Sequence, residues 1–177
     1  MKSLDGVKIF LSGPIDRVKD DGIGWRKEFI ARCKRLKLPF LFFDPTNKPK
    51  GMGSEVGDEK TRIQELMKRR KWERAKAEVK IFARFDLRMV DLSHVLVLYC
   101  DIDVHLCGSY EEFVTAKHQH KPCFVIMAEG QDKYDIPSWL IQHVDEDEVF
   151  DSVEECVEHF KLMYEGKIVP DDRWVVV

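Results

Sequence analysis

The chain has 177 residues, 44% hydrophobic and 34% charged, with a formal net charge of −3. This is the composition of a water-soluble globular protein, and the length fits one domain, residues 1–177, with a sizeable core. No apolar run nears the ~18 residues of a membrane span, so membrane partners are excluded.

The opening Met1-Lys2-Ser3-Leu4-Asp5-Gly6 has no long apolar stretch and no small-residue cleavage site, so export is not expected. Val7 to Ser12 reads as a short strand ended by Gly13-Pro14. Residues 24–36 place Trp25, Phe29, Ile30, Cys33 and Leu36 at helical spacing. Pro39 breaks that helix, and Phe40 to Phe43 reads as a second, buried strand stopped by Asp44-Pro45. Residues 46–58, rich in Gly, Pro and Lys, read as a long mobile loop of the kind that carries function.

Residues 59–92 read as helical, as one helix or two. The third strand is 94–100 and the third helix 109–120. Lys121-Pro122 precedes a fourth strand, Cys123 to Met127. Pro137 to Ile141 opens a short amphipathic piece, Val149-Phe150 a short fifth strand, and 152–165 a last helix with Val153, Cys156, Val157, Phe160 and Met163 inward. The tail is Arg173-Trp174-Val175-Val176-Val177. Alternating strands and helices predict an α/β fold: a doubly wound, Rossmann- or flavodoxin-like sheet of about five mostly parallel strands flanked by helices.

Five cysteines (33, 100, 107, 123, 156) are an odd, irregularly spaced set. They read as reduced thiols of a cytoplasmic protein rather than a disulfide framework. Charge is uneven along the chain: Lys60 to Lys80 holds nine Lys/Arg and three Glu, while Asp145 to Asp172 holds eleven Asp/Glu and two Lys. Such asymmetry fits a phosphate-bearing ligand, a head-to-tail partner or two solvated helix faces.

Chemistry concentrates where the third strand feeds the third helix, at Cys107-Gly108-Ser109-Tyr110-Glu111-Glu112. In open α/β sheets ligands bind at such junctions. Ser109-x-x-Glu112 also fits a capping box, which needs no chemistry. A carboxylate in the first turn would be kept ionised at neutral pH by the helix dipole, as a nucleophile requires. Asp86 lies on a stripe with Val79, Phe82, Ala83 and Val90. A carboxylate there is costly unless it lines a pocket or pairs with an arginine such as Arg84 or Arg88.

Leu11-Ser12-Gly13-Pro14-Ile15-Asp16-Arg17 could hold a phosphate or sugar hydroxyl, or be a plain strand-to-helix turn. It lacks the endings of a P-loop. His118 and His120 face different ways on a helix, and His105 with Cys107 would be two ligands only, so no metal is expected. Trp25 and Trp72 read as packing anchors. Glu65, Glu73 and Glu78 dilute the basic run Lys68 to Trp72, so nucleic-acid binding is not favoured.

Taken together, three blocks resemble the nucleoside 2-deoxyribosyltransferase family, including its nucleotide-hydrolysing members. They are Ile9-Phe10-Leu11-Ser12-Gly13-Pro14-Ile15 with Trp25 following, Asp86-Leu87 before the third strand, and Gly108-Ser109-x-x-Glu112-x-x-x-Ala116 with Lys121-Pro122 following. The spacing of 26 from Asp86 to Glu112 also suits the family. The resemblance implies a glycosyl-transferring enzyme that cleaves an N-glycosidic bond with Glu112 as nucleophile. A covalent glycosyl-enzyme would then be resolved by another base or by water. Asp86 would contact the base and manage its proton. Substrate contacts would come from Ser12, Gly13, Pro14, Ile15, Arg17, Trp25, Asp44, Gly108 and Ser109. No cofactor or metal is implied, and a homo-oligomer is.

Two positions depart from the family pattern. Transferases of free nucleosides carry an aspartate six residues before the nucleophile, and here that position is Leu106. A carboxylate there would repel a 5′-phosphate, so Leu106 favours a nucleoside 5′-monophosphate over a nucleoside. Val114 replaces a small glycine. Competing readings are a non-catalytic nucleotide-binding sensor on the same fold and a nucleic-acid-associated protein. The Arg173-Trp174 tail is a candidate lid or subunit contact, or an ordinary edge strand.

Overall fold

The computed structural model describes residues 4–175. Elements follow in the order β1 (Lys8–Ser12), α1 (Ile23–Arg35), β2 (Leu41–Phe43), α2 (Gly57–Lys68), α3 (Trp72–Leu92), β3 (Val95–Cys100), α4 (Cys107–His118), β4 (Cys123–Met127), α5 (Ser138–Ile141), β5 (Val149–Phe150) and α6 (Val153–Tyr164). All strand pairs are parallel, in the spatial order β2-β1-β3-β4-β5. The continuous apolar runs of β3 and β4 follow from burial on both faces.

Side chains alternate across the sheet. Ile9, Leu11, Val95, Val97, Phe124 and Ile126 face α1 and α6, where they meet Trp25, Phe29, Cys33, Cys156, Val157 and Phe160. Phe10, Leu96, Leu98, Val125 and Met127 face α3 and α4, where they meet Val90, Phe113 and Ala116. Each fully buried Phe or Leu contributes about 1.5–3 kcal/mol relative to exposure. Helix α2 packs on α3 with no buried side chain of its own. Among the described residues, no helix is long and apolar enough to cross a membrane.

Three sequence expectations need correction, and one left open is decided. The strand at 40–43 is the sheet edge and not a buried strand: Leu41 is 55% exposed because no further strand covers β2. The stretch 59–92, read as one helix or two, is two, broken where Arg70 takes φ 56°. The cations Lys68, Arg69, Arg70 and Lys71 gather at the end of α2, where the helix dipole favours them. Val79 is exposed, and the buried positions of α3 are Ala75, Phe82, Asp86 and Val90. Finally, Trp174 is no lid. Its ring is 2% exposed and packs against Phe124 and Phe160, with centroids 6.1 Å from each. Val176 and Val177 of that tail lie outside the described residues.

The chain moves outward from β1 to β2 and then crosses back past β1 to β3. That reversal opens a crevice at the carboxyl ends of β1 and β3, the place where open α/β sheets bind ligands.

Candidate active site

A cleft of about 510 Å³ occupies this crevice, within the usual range for small-molecule sites. One wall is the loop after β1, from Gly13 to Arg17. A second is the start of α4, from Leu106 to Ser109 with Glu111 and Glu112. Helix α3 adds Phe82, Ala83, Asp86 and Leu87, and the loop after β2 adds Pro45 and Glu55.

Backbone geometry after β1 is set from below. Gly13 has no room for a side chain, since a Cβ there would lie 2.9 Å from Trp25 Cζ2 and 3.1 Å from Tyr99 Cβ. Trp25 and Tyr99 stack with ring centroids 5.0 Å apart. Arg26, fully buried, donates hydrogen bonds to the carbonyls of Leu11, Gly13 and Gly22 at 3.1, 2.9 and 2.7 Å. Burial lowers its pKa to about 10, countered by Asp44, 3.7 Å away, and by Glu112 and Glu55. It stays charged at neutral pH and braces the loop.

The capping box expected at Ser109 does not form. Helix α4 starts two residues earlier than expected, with Leu106 at the cap and no side chain bonded there. Ser109 lies within the helix and is buried. Glu112 is therefore in the second turn and turns toward β1, where it accepts a 2.6 Å hydrogen bond from Ser12 Oγ. Ser12 Oγ also lies 3.4 Å from the Ser109 carbonyl oxygen.

The expectation of an ionised Glu112 is corrected as well. Desolvation raises its pKa to about 8, the Ser12 hydrogen bond lowers it, and the charges of Asp86 and Glu55 raise it. A second-turn position gives little help from the helix dipole, which acts mainly within the first turn.

Asp86 is 4% exposed, and its partner is Lys48 rather than Arg84 or Arg88. Lys48 Nζ donates to Asp86 Oδ1 at 2.7 Å, with both side chains almost fully enclosed. Burial raises the Asp86 pKa and Lys48 opposes that rise. Lys48 belongs to the loop expected to be mobile, and that loop is tied down. The Asp44 side chain accepts from Thr46, Lys48 reaches Asp86, and the Gly57 N–H donates to Asp21, which also pairs with Lys60 at 2.7 Å. Tethered in this way, the loop brings Glu55 into the cleft.

Of the substrate-binding residues named from sequence, Gly13, Pro14, Ile15, Arg17, Gly108 and Ser109 line the cleft, and Ser12 lies behind Glu112. Trp25 and Asp44 are outside the walls: Trp25 supports Gly13, and Asp44 faces Arg26 and Thr46. Among the described residues, the Trp25 indole Nε1 is buried without a hydrogen-bond partner. Arg17 sits at the rim, largely exposed, beside Asp16 at 3.4 Å.

Sequence reasoning missed Arg26, Lys48 and Glu55. Arg26 carried a signal, because it shares the inward stripe of Phe29 and Cys33 on α1. Lys48 and Glu55 carried none, since loop residues have no periodicity.

The same architecture occurs in solved proteins. One is a 2-deoxyribosyltransferase from the psychrotolerant bacterium Bacillus psychrosaccharolyticus, described as a biocatalyst for nucleoside synthesis. It matches at a TM-score of 0.54 and 13% identity, over 84% of this chain and 89% of that one. The fold is that of a 2-deoxyribosyltransferase. A conserved protein from Enterococcus faecalis V583 matches with a TM-score of 0.53 and 14% identity, over 88% of this chain and 98% of its own. No protein-family model and no curated protein sequence matches the chain. The resemblance carried by the three sequence blocks thus has a counterpart in three dimensions, at the level of the 2-deoxyribosyltransferase fold.

Proposed function

We propose that the protein cleaves the N-glycosidic bond of a 2-deoxynucleoside 5′-monophosphate, with Glu112 as the nucleophile. The observation that carries this reading is the Glu112 carboxyl at the cleft wall, fixed by Ser12 at 2.6 Å and flanked by a buried Asp86. A carboxylate held beside a sugar ring both attacks the anomeric carbon and stabilises the oxocarbenium-like transition state. The C1′–N bond breaks, its electron pair leaves with the base, and a glycosyl ester forms on Glu112. Water or a second base then displaces the carboxylate. Proline, isoleucine, phenylalanine and leucine side chains at 14, 15, 82 and 87 give a flat base an apolar slot.

The preference for a phosphate rests on the start of α4. This 12-residue helix has no side-chain cap, and Leu106 puts no negative charge at its N-terminus. Free N–H groups at a helix start, with the dipole behind them, favour an anion. Gly108 leaves open space there, since a Cβ added to it would meet nothing within 4 Å. Arg17, paired with Asp16 at the rim, is the cationic side chain among the residues that line the same cleft.

One observation favours a second reading. A Glu112 pKa of about 8 leaves the carboxyl mostly protonated at neutral pH in the free protein, as suits a nucleotide-binding sensor. Incubation with a panel of deoxynucleosides and their monophosphates, with and without an acceptor base, separates the readings. Base release from monophosphates that is lost in Glu112→Ala, with binding retained, is the expected result. Binding without base release identifies a sensor, and equal cleavage of free nucleosides removes the phosphate preference.

A further inference from the structure

We propose that Glu55, and not Asp86, is the general acid that protonates the departing base and the general base that activates the incoming water. This inference rests on the glycosidic reading above and deepens it.

Five carboxyl groups line the cleft. Asp16 pairs with Arg17 at the exposed rim and Glu111 is exposed to solvent, which leaves Glu55, Asp86 and Glu112 as the more enclosed three, and their partners differ. Glu112 accepts from Ser12 at 2.6 Å. Asp86 accepts from the Lys48 ammonium at 2.7 Å, with side-chain exposures of 6% and 3%. Burial raises the Asp86 pKa, but its Oδ1 is occupied by an enclosed ammonium that favours the anion, so it is poorly placed to hand a proton to a substrate. Glu55 lines the same cleft, and among the described residues no hydrogen bond or ion pair engages its carboxyl. Of the three enclosed acids it is the one free to present a proton.

The electrostatics agree with that geometry. Burial raises the Glu55 pKa to about 7. The charges facing it are Asp86 from α3, which raises it, Lys48 from its own loop and Arg26 from α1, which lower it, and Asp16 from the loop after β1, which raises it. Glu112 on α4 and Glu55 disfavour each other's charge, so the reactive form of the pair shares a single proton near neutral pH. A general acid and base works best with a pKa near the working pH. In the free protein Glu112 binds its proton more tightly, to about pH 8. Positive charge developing at C1′ favours the Glu112 carboxylate, so the single proton of the pair moves from Glu112 to ionised Glu55 before the bond breaks.

The cycle balances. Glu55 gives its proton to the base nitrogen as the C1′–N bond breaks and Glu112 bonds to C1′. Ionised Glu55 then takes a proton from water as the water oxygen bonds to C1′ and the Glu112–C1′ ester bond breaks. Glu55 ends protonated, and the products are free base and sugar phosphate.

The test compares two leaving groups: the base of a 2-deoxynucleoside 5′-monophosphate, which must be protonated, and p-nitrophenolate on 2-deoxyribose 5-phosphate, which leaves without a proton. Glu55→Gln is expected to slow base release by about 100-fold or more. With the nitrophenyl substrate it should give a near-stoichiometric burst of nitrophenolate and a sugar-phosphate mass increment on Glu112, because the water step has lost its base. Glu55→Asp, which keeps an acid, should recover part of the base release. Equal losses on both substrates would mean a structural role and overturn the proposal. So would base release by Glu55→Gln within threefold of the parent, or leaving-group selectivity shown by Asp86→Asn instead. If the parent protein releases no base and forms no adduct, the glycosidic reading itself fails, an outcome separate from failure of the Glu55 role alone.

Discussion

Ser12 Oγ donates a 2.6 Å hydrogen bond to Glu112 Oε2, tying the end of β1 to the second turn of α4. The bond favours the carboxylate against burial, which pushes the pKa up to about 8. Removing it in Ser12→Ala takes away a hydrogen bond to a charged group, ~1.5–3 kcal/mol, or about one pKa unit or more. The alkaline rise of the pH–rate profile should move up by that amount, with about tenfold lower kcat/KM at pH 7. A profile of unchanged midpoint would show that Ser12 does not tune the nucleophile.

Stability should respond to Glu112 with a definite sign. Its folded pKa of about 8 lies above the 4.5 expected of an unfolded glutamate, and Glu55 at about 7 behaves alike. The folded state then binds more protons between these limits, so their contribution is complete below pH 4.5 and is lost as pH rises through 7 and 8. Glu112→Gln, which never ionises, should gain on the parent as pH rises and be ~1–3 kcal/mol more stable at pH 9. Urea unfolding of both proteins at pH 5, 7 and 9 gives the difference directly.

Lys48→Met should expose the cost of Asp86. With its partner gone, a carboxylate 4% exposed stands unpaired, at a cost of about 3–5 kcal/mol when ionised. Protonation relieves that cost, so the loss should be small near pH 4 and grow toward pH 8. Thermal melts across this range check it, and a loss independent of pH would assign Lys48 a purely packing role.

Gly108→Ala separates binding from folding. A Cβ at Gly108 meets nothing within 4 Å, and the residue is helical. Alanine should raise stability by ~0.5–1 kcal/mol through helix propensity. The same methyl intrudes on the cleft wall and should weaken monophosphate binding by tenfold or more. Gly13→Ala is the contrasting case. Its Cβ would press on Trp25 at 2.9 Å, and a loss of ~1–3 kcal/mol is expected. Calorimetry on the two variants distinguishes a glycine kept for the ligand from one kept for the core.

The fold is legible because its strands are runs of Val, Ile, Leu and Phe separated by helical stripes. Their spatial order is not, because nothing local tells β3 to pair with β1. Asp86 betrays itself by standing on the stripe of Phe82 and Val90. Its partner stays hidden, because Lys48 reaches it across 38 positions from a loop without pattern. Glu112 stands out in the sequence, but its setting does not. Ser109-x-x-Glu112 carries the letters of a capping box, yet the helix begins at Cys107 and moves both residues inward. Glu55 shows the limit most plainly. Its importance comes from the company of Asp86, Glu112 and Arg26, which only the folded chain assembles.

The cysteines divide in a way that makes the protein its own reporter. Cys107 is exposed and lines the cleft, whereas Cys33, Cys100, Cys123 and Cys156 are buried. Burial raises the thiol pKa of Cys33 and Cys123 to about 12 and that of Cys100 to about 11, which keeps them inert while the chain is folded. A mild alkylating reagent therefore counts one thiol in the native protein and five after unfolding. The first reads whether the cleft is occupied, and the other four time the opening of the sheet, with no label introduced by mutation.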